Sequence, residues 1–578
     1  MVIKLNRQFN PDENIFNNPD IYHYIVHYIG DVAAEIANYP DLKITILTDK
    51  YAILSTFDII EKWLVSSPFE TIIYIKPYTV YSLQQISPLD ASQAEFLQLN
   101  LPLNLLGTGV KVTIIDTGID YLNEEFMDKE GNTRIDFIWD QSANNQPSQT
   151  EGFETFFGAL YNREQIQEAI NTYRQGGDPY SIVPVRDEIG HGTNMAGLIG
   201  GRGKNPNLRG VVPDCRFIII KLVEDRAFKA IYQVDTLEPV YNTVTIFSAL
   251  RVISNYALTI LDPIVVYLPL GSSLGSHKGS TLLERYINSL ALYNGFAIVT
   301  VTGNERNTRR HASATLRPEE PIKTFDLDVA PGQGSLIVDV WVDLPNVVSV
   351  DIVSPSGDNT GIINYTTNNY THNFVFENTR VDIFYFIPDE DTGDQNIRIV
   401  FTNLQPGIWR LRFLGNLIIG GSINAWLPQG DLTLPGTQFN PADPYGTITS
   451  PGNSPFIITA AAYNQNNNNL VDYSGNAFTS GYINPIDVAA GGENAMTTAP
   501  NNEIAVISGT CVAGAIVAGA CAMLFDWGII QGNDKNLYTQ TLKTYLARGV
   551  NERSGDIYPN PQWGFGMLNI LRLFDNIT

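Results

Sequence analysis

The chain has 578 residues, 44% hydrophobic and 17% charged, with a formal net charge of −24 and a pI near 4.6. That length exceeds a single ordinary core and calls for roughly two to four domains. The acidic balance excludes nucleic acid as a main partner, because phosphate binding needs a basic surface.

The first residues, Met1 to Arg7, lead into polar sequence, with neither the apolar core nor the small-residue cleavage site of a secretory signal. No segment reads as the roughly 20 uninterrupted apolar residues of a membrane span. Cytoplasmic synthesis without export by the general route is expected. Region 1–86 reads as a strand over Tyr24–Tyr28, a short helix over Asp31–Asn38, strands at Lys43–Leu47 and Ala52–Thr56, helical character over Asp58–Val65, and a strand over Thr71–Tyr78. That β-α-β-β-α-β order predicts a small ferredoxin-like unit.

Region 87–308 alternates continuous apolar runs with helical stretches. The runs are Val110–Ile115, Phe217–Lys221, Ile264–Leu268 and Ala297–Thr302; the helices include Asn194–Gly200 and Leu282–Tyr293. This predicts an α/β fold with a parallel, doubly wound sheet, whose sites form at the carboxyl ends of the strands. Region 309–436 changes to short strand-like runs separated by turn residues: Thr324–Val329, Ser335–Val342, Val347–Val353, Asn373–Phe376, Asp382–Phe386, Asn396–Thr402, Gly407–Leu414 and Gly421–Trp426. An inserted all-β sandwich or jelly roll is expected there. Region 437–578 returns to α/β, with a strand at Phe456–Ala461 and a long helix rich in small residues over Thr510–Asp526.

Four motifs carry chemistry. Asp116 closes the first apolar run and is followed by Thr117-Gly118; alone this is a strand-ending turn. His191 lies in Asp187-Glu188-Ile189-Gly190-His191-Gly192-Thr193, where flanking glycines let the backbone bring the ring close to a nucleophile. Asn304, in Val301-Thr302-Gly303-Asn304-Glu305, offers a side-chain amide to an oxyanion, together with the backbone N–H of residue 511; losing such a donor costs about 2.7–4 kcal/mol of transition-state stabilisation. Cys511 sits in Ser508-Gly509-Thr510-Cys511-Val512-Ala513-Gly514-Ala515. Acid, base and nucleophile position follow in that order along the chain. Asp128-Lys129-Glu130-Gly131-Asn132 has the look of an oxygen-ligand turn but reads more simply as a solvated acidic loop, and no metal ligand set is identified.

Together these motifs resemble the subtilisin-like (S8) peptidase family. The runs Asp116-Thr-Gly-Ile-Asp-Tyr-Leu-Asn-Glu-Glu-Phe126, Asp187–Thr193 and Gly275-Ser-His-Lys-Gly279 are most similar to the Csp germination proteases of clostridial spores. The resemblance covers essentially the whole chain. It implies a folding prodomain over 1–86 bound in the cleft, a subtilase core over 87–308 and 437–578, and a jelly-roll insertion over 309–436. It implies a protein substrate, the precursor of a cortex-degrading hydrolase, and incorporation in the spore. It implies catalytic roles for Asp116, His191 and residue 511, and an oxyanion role for Asn304. Leu270, Gly271 and Ser272 become an edge strand that receives extended substrate by β-augmentation. Pro269 stands where the family usually has serine, and Ala515 where subtilisins usually have proline. The prodomain junction is expected between Val80 and Ser87, with a cut after Gln85. No cofactor is required, and calcium is a cation that subtilases often bind.

Cys511 replaces the family's serine, and three readings stand. It is a working nucleophile activated by His191; or it is a decayed serine in a pseudoprotease that acts in germination signalling; or it is an engineered substitution that traps a complex. Cys215 and Cys521 lie in apolar sequence and read as core. Cys521 is too far along the same helix from Cys511, about 15 Å of rise, to bridge to it.

Overall fold

The computed structural model describes residues 9, 14–60, 68–76, 79–83, 92–99, 103–144, 149–150, 153–231, 236, 238–367, 369–479 and 485–577. The central sheet runs Ala159–Asn162, Ile135–Asp140, Arg216–Lys221, Lys111–Asp116, Ile264–Tyr267, Phe296–Val301, Ile458–Asn464, Val488–Gly491, Met567–Leu568 and Val550–Asn551. Pairing is parallel from Ile135–Asp140 to Met567–Leu568 and antiparallel at the two edges. The inner strands Lys111–Asp116, Ile264–Tyr267 and Phe296–Val301 are buried throughout, which is why they read as unbroken apolar runs.

Alternate strand residues serve two cores. Val112, Ile114, Val265, Tyr267 and Val299 pack with helices His191–Gly200 and Thr510–Phe525. Ile115, Ile218, Val266 and Ile298 pack with helices Thr243–Ala257 and Leu282–Leu290 on the other face. From Lys111–Asp116 the chain first winds toward one edge and later, from Ile264–Tyr267 on, toward the other. The carboxyl end of Lys111–Asp116 is therefore beside the topological switch point, where crevices open in such sheets.

The helix begun at Thr510 continues through a π turn to Ile530, and these 21 residues are long and apolar enough to cross a membrane by length and composition. The segment is 89% buried inside the protein, as the core helix of the sheet.

The N-terminal unit is a four-stranded antiparallel sheet in the order Leu42–Ile46, Tyr51–Thr56, Tyr22–Tyr28, Ile72–Ile75, with helix Val32–Ile36. The first and third strands are neighbours in the middle, as a split β-α-β pattern requires. Asp58–Ile60 form no helix, and the rest of the helical expectation at Asp58–Val65 lies outside the described residues. Between His311 and Asn440 two antiparallel sheets share a core that includes Leu327, Val338, Val350, Ile399 and Trp409. One holds six strands and the other four. The strand expected at Asn373–Phe376 is Asn369–Phe374; Val375 and Phe376 lie beyond it, 82% and 84% exposed, and their apolarity imitated a strand. Strands His311–Leu316 and Gln438–Asn440 were not expected, and the latter extends this unit past residue 436.

An acidic loop joins all three units. Asp391, from the sandwich, has a side chain only 2% exposed; it meets Arg285 of the core at 2.7 Å and Lys76 of the N-terminal unit at 3.5 Å, and accepts from the N–H of Leu282 at 3.1 Å. Removing one member of a buried pair strands the other charges. Asp391→Ala should therefore lower the unfolding free energy by roughly 3 kcal/mol. A urea midpoint unchanged from that of the unaltered chain would show that the three units are not coupled through this loop.

Candidate active site

Asp116 is the last residue of its strand and is fully buried. Both its oxygens approach His191 Nδ1, Oδ2 at 2.7 Å and Oδ1 at 2.9 Å. His191 opens helix His191–Gly200, with Gly190 as the preceding cap at φ +89°. The ring is hydrogen-bonded to Cys511 on its other side. Asp116, His191 and Cys511 thus form one continuous buried chain.

The flanking glycine has a different use from the one expected. A Cβ at residue 192 would lie 2.1 Å from the carbonyl oxygen of Gly118. Gly192 lets the His191 helix press its backbone onto the Asp116-Thr-Gly turn, and so sets the distance between acid and base.

Asp187 locks that contact and was not singled out by sequence reasoning. One oxygen accepts from Thr117 Oγ1 at 2.7 Å and the Gly190 N–H at 2.8 Å; the other accepts from the Thr193 N–H at 2.8 Å and Thr193 Oγ1 at 2.7 Å. Thr117 Oγ1 in turn accepts from the Gly192 N–H at 2.9 Å. A carboxylate at a helix start gains from the unpaired amides and dipole there. The visible clue was an Asp four residues before the histidine.

Helix Thr510–Phe525 begins just before Cys511, so the Cys511 N–H belongs to the first turn, where amides have no helical partner. Asn304 follows strand Phe296–Val301, and its carbonyl oxygen accepts from the Thr510 N–H at 3.2 Å and Thr510 Oγ1 at 3.0 Å. That fixes the oxygen end of the Asn304 side-chain amide at the start of the helix that carries Cys511. Tyr267, a second residue missed in the sequence, donates its hydroxyl to the Cys511 carbonyl and so braces the helix start from below. Cys511 Sγ also lies 3.7 Å from the carbonyl oxygen of Pro269, and the residue is fully buried. All three cysteines are free. Burial pushes the Cys215 thiol up to about 12 and the Cys521 thiol higher still, so both are inert core groups.

The cleft edge is Leu270–Gly271, which pairs antiparallel with Val80–Leu83: Leu270 faces Leu83 and Gly271 faces Ser82. Val240–Asn242 pairs with the other side of the same segment. Residues 80–83 are thus the middle strand between two cleft edges, and the second edge was not anticipated. Ser272 turns away and exchanges backbone hydrogen bonds with Ser450, at 3.0 and 2.8 Å. The expected cut after Gln85 lies outside the described residues. In the turn at Asp128, the carboxylate accepts from the N–H groups of Glu130 and Asn132 and from the Asn132 amide, which binds it to its own loop. Among the described residues no cluster of histidine, cysteine and acidic side chains has a metal-binding arrangement.

Burial pushes the His191 pKa down, but the Asp116 carboxylate, its hydrogen bond and the contact with Cys511 outweigh this and hold it well above 6.5. Asp187→Ala would leave two backbone amides and two hydroxyls without their acceptor, at a cost of about 3 kcal/mol in stability. The same variant should slow alkylation of Cys511 by iodoacetamide, followed by mass spectrometry on the folded protein. Alkylation at the unaltered rate would show that Asp187 does not position His191.

A family model described as the subtilase family (Peptidase S8) matches residues 107–374 and 440–566. No curated protein sequence matches the chain. Among solved structures, the CspB protease of Clostridium perfringens superposes with a TM-score of 0.74 at 30% identity, over 84% of this chain and 97% of that one. The matched segments hold Asp116, His191, Asn304 and Cys511, and the chain belongs to the subtilase family of peptidases, related to the Csp proteases.

Proposed function

We propose that the chain is an endopeptidase of the Csp type in which Cys511 is the nucleophile, and that its substrate is the precursor of a spore cortex-degrading hydrolase. The observation that carries this reading is the continuous hydrogen-bonded chain from Asp116 through His191 to Cys511, with its supports at Asp187, Asn304 and Tyr267 all in place. His191 takes the thiol proton, and Asp116 holds the ring with Nδ1–H toward it. The Cys511 sulfur attacks the substrate carbonyl. The oxyanion rests on the Cys511 N–H and the Asn304 amide. His191 then protonates the departing amine, the thioester carbonyl remains on sulfur, and water, deprotonated by His191, releases the acid. No cofactor takes part.

In this reading residues 1–86 are the prodomain, and strand Val80–Leu83, paired with Val240–Asn242 and Leu270–Gly271, stands in for a substrate backbone before its cut. The protein is made in the cytoplasm and stored in the spore. A second reading, a germination signalling protein with an idle site, draws on the same strand: the cleft is filled, and Cys511 is fully buried beside the Pro269 carbonyl.

Intact mass separates the two. The unaltered chain should lose about 85 residues (a length set by the family resemblance), and Cys511→Ala should lose none. Processing of Cys511→Ser alone would mean that the scaffold is competent and sulfur disables it, which defeats the thiol-peptidase reading. The pH response follows from His191. A serine needs neutral imidazole, which becomes abundant only as pH rises past 6.5 toward the raised folded value. A thiolate–imidazolium pair is instead kept below that value and lost above it. Self-cleavage of Cys511→Ser should therefore climb on the alkaline side while that of the cysteine form levels off and then falls; parallel profiles would contradict the ion-pair mechanism.

A further inference from the structure

The ribbon of strands Ala495–Ala499 and Glu503–Ile507 ends four residues before Cys511. Its inner face is committed to the His191 helix. Thr497 Oγ1 donates to the Asn194 carbonyl at 2.8 Å, and a Cβ on Gly197 would meet that same oxygen at 2.5 Å. The outer face alternates with it. Met496 faces Val506 directly, and Thr498 faces Ile504. Thr498 is covered from both directions: Asn123 donates to its hydroxyl at 2.7 Å, and its Cγ2 would lie 2.7 Å from a Cβ on Gly197 of the His191 helix. The other three side chains are left open: Met496 is 40%, Ile504 51% and Val506 61% exposed. Near the ribbon's turn, Pro500 lies against Gly190, and the adjacent Ile189 is 52% exposed.

Direction decides what meets this face. The segment before a cut lies between Val240–Asn242 and Leu270–Gly271, where residues 80–83 sit. The new amine takes its proton from His191, so the segment beyond the cut leaves along the His191 side. The ribbon packs on the helix that His191 opens and leads through Ile507 into the Cys511 turn. From 495 to 507 the only charged residue is Glu503, so the face has apolar area and no cation for an acidic segment.

We propose that Met496, Ile504 and Val506 form a docking face for apolar residues in the substrate segment on the carboxyl side of the scissile bond. This rests on the peptidase reading and adds a specificity surface to it. The test uses the full chain and a variant with Met496→Ser, Ile504→Ser and Val506→Ser. Each is given a randomised peptide pool, with products sequenced by mass spectrometry, and a peptide whose leaving group is a single aminocoumarin. The unaltered chain should enrich Leu, Ile, Met or Phe within the first few residues after the cut. The variant should lose that enrichment and about tenfold in kcat/KM on apolar-rich peptides, with the aminocoumarin substrate unaffected. Surviving enrichment, or equal loss on both substrates, overturns the proposal.

A catalysis-free arm separates its failure from that of the peptidase reading. A benzophenone amino acid at position 504 of the Cys511→Ala form is illuminated with carboxymethylated α-lactalbumin as an unfolded probe. Crosslinking at 504 well above that from exposed position 557 supports a polypeptide-docking face even where no form cleaves; equal crosslinking overturns it. Absence of cleavage by every form, serine included, sinks the peptidase reading alone.

Discussion

Two backbones touching at Gly118 and Gly192 set the geometry of the site. The acid sits two residues before the first glycine, and the base immediately before the second. No side chain fits between them, since a Cβ at 192 would overlap the Gly118 carbonyl. Asp187 makes the contact permanent by accepting from both sides of it, from Thr117 on the acid's turn and from Gly190 and Thr193 on the base's helix. It does so with the hydrogen bonds of a charged acceptor, which are stronger than neutral ones. The Asp116–His191 distance is therefore a property of main chain and glycine, independent of what stands at residue 511. Replacing serine by cysteine leaves the acid and base where they were.

This narrows what sulfur can change. In the proposed reaction the donors to the oxyanion are the N–H at the start of a helix and an amide tethered to Thr510, and neither is tied to the side-chain atom of residue 511. The longer C–S bond and larger sulfur shift the tetrahedral carbon relative to those fixed donors. A thiolate is also the better leaving group, so the intermediate returns to reactants more readily when it must expel an amine. Both effects slow amide cleavage more than ester cleavage. Against them stands the ease of forming the nucleophile: an imidazole whose pKa is raised by the Asp116 carboxylate favours a thiolate partner far more than it would an alkoxide. Under the proposed mechanism the rate at Cys511 is a contest between easy activation and poor forward partition.

Residues whose chemistry depends on a local turn at the end of a buried run were readable from sequence. Asp116 and Asn304 are of that kind, His191 and Cys511 stand at glycine-flanked helix starts, and the structure brings all four elements to one place. Asp187 was not readable in the same way because its role is to join two segments about seventy residues apart, and a lone Asp in a loop has no local signature. Tyr267 looked like strand core and is strand core; only its hydroxyl, reaching the Cys511 carbonyl, gives it a second role. The edge Val240–Asn242 is three residues long and polar at its end, too short for any periodic signal. The sandwich strands came out well where inward and outward residues alternate, as in Val347–Val353, and failed at Val375 and Phe376, where an exposed turn is apolar for no reason that the backbone dictates.

The inserted sandwich braces both walls of the cleft. A few residues beyond Leu270–Gly271, the loop Gly275–Gly279 is held from the sandwich side: Asp339 accepts from the Gly275 N–H at 2.9 Å, Trp426 stacks on His277 with ring centres 4.1 Å apart, and Lys278 reaches Asp343 and Asp394. On the other wall, Glu305 follows Asn304, pairs with Arg310 at 3.0 Å and accepts from the Gly430 N–H at 3.2 Å, while Arg310 donates to the Thr433 carbonyl at 2.7 Å. Buried charges held this way cost several kcal/mol to expose singly, so neither wall can shift without breaking contacts to the insertion. Anchoring to a separate folded unit pre-organises what is held: the loop just beyond Leu270–Gly271, the edge on which strand Val80–Leu83 pairs, and the segment after Asn304 are both held by the insertion.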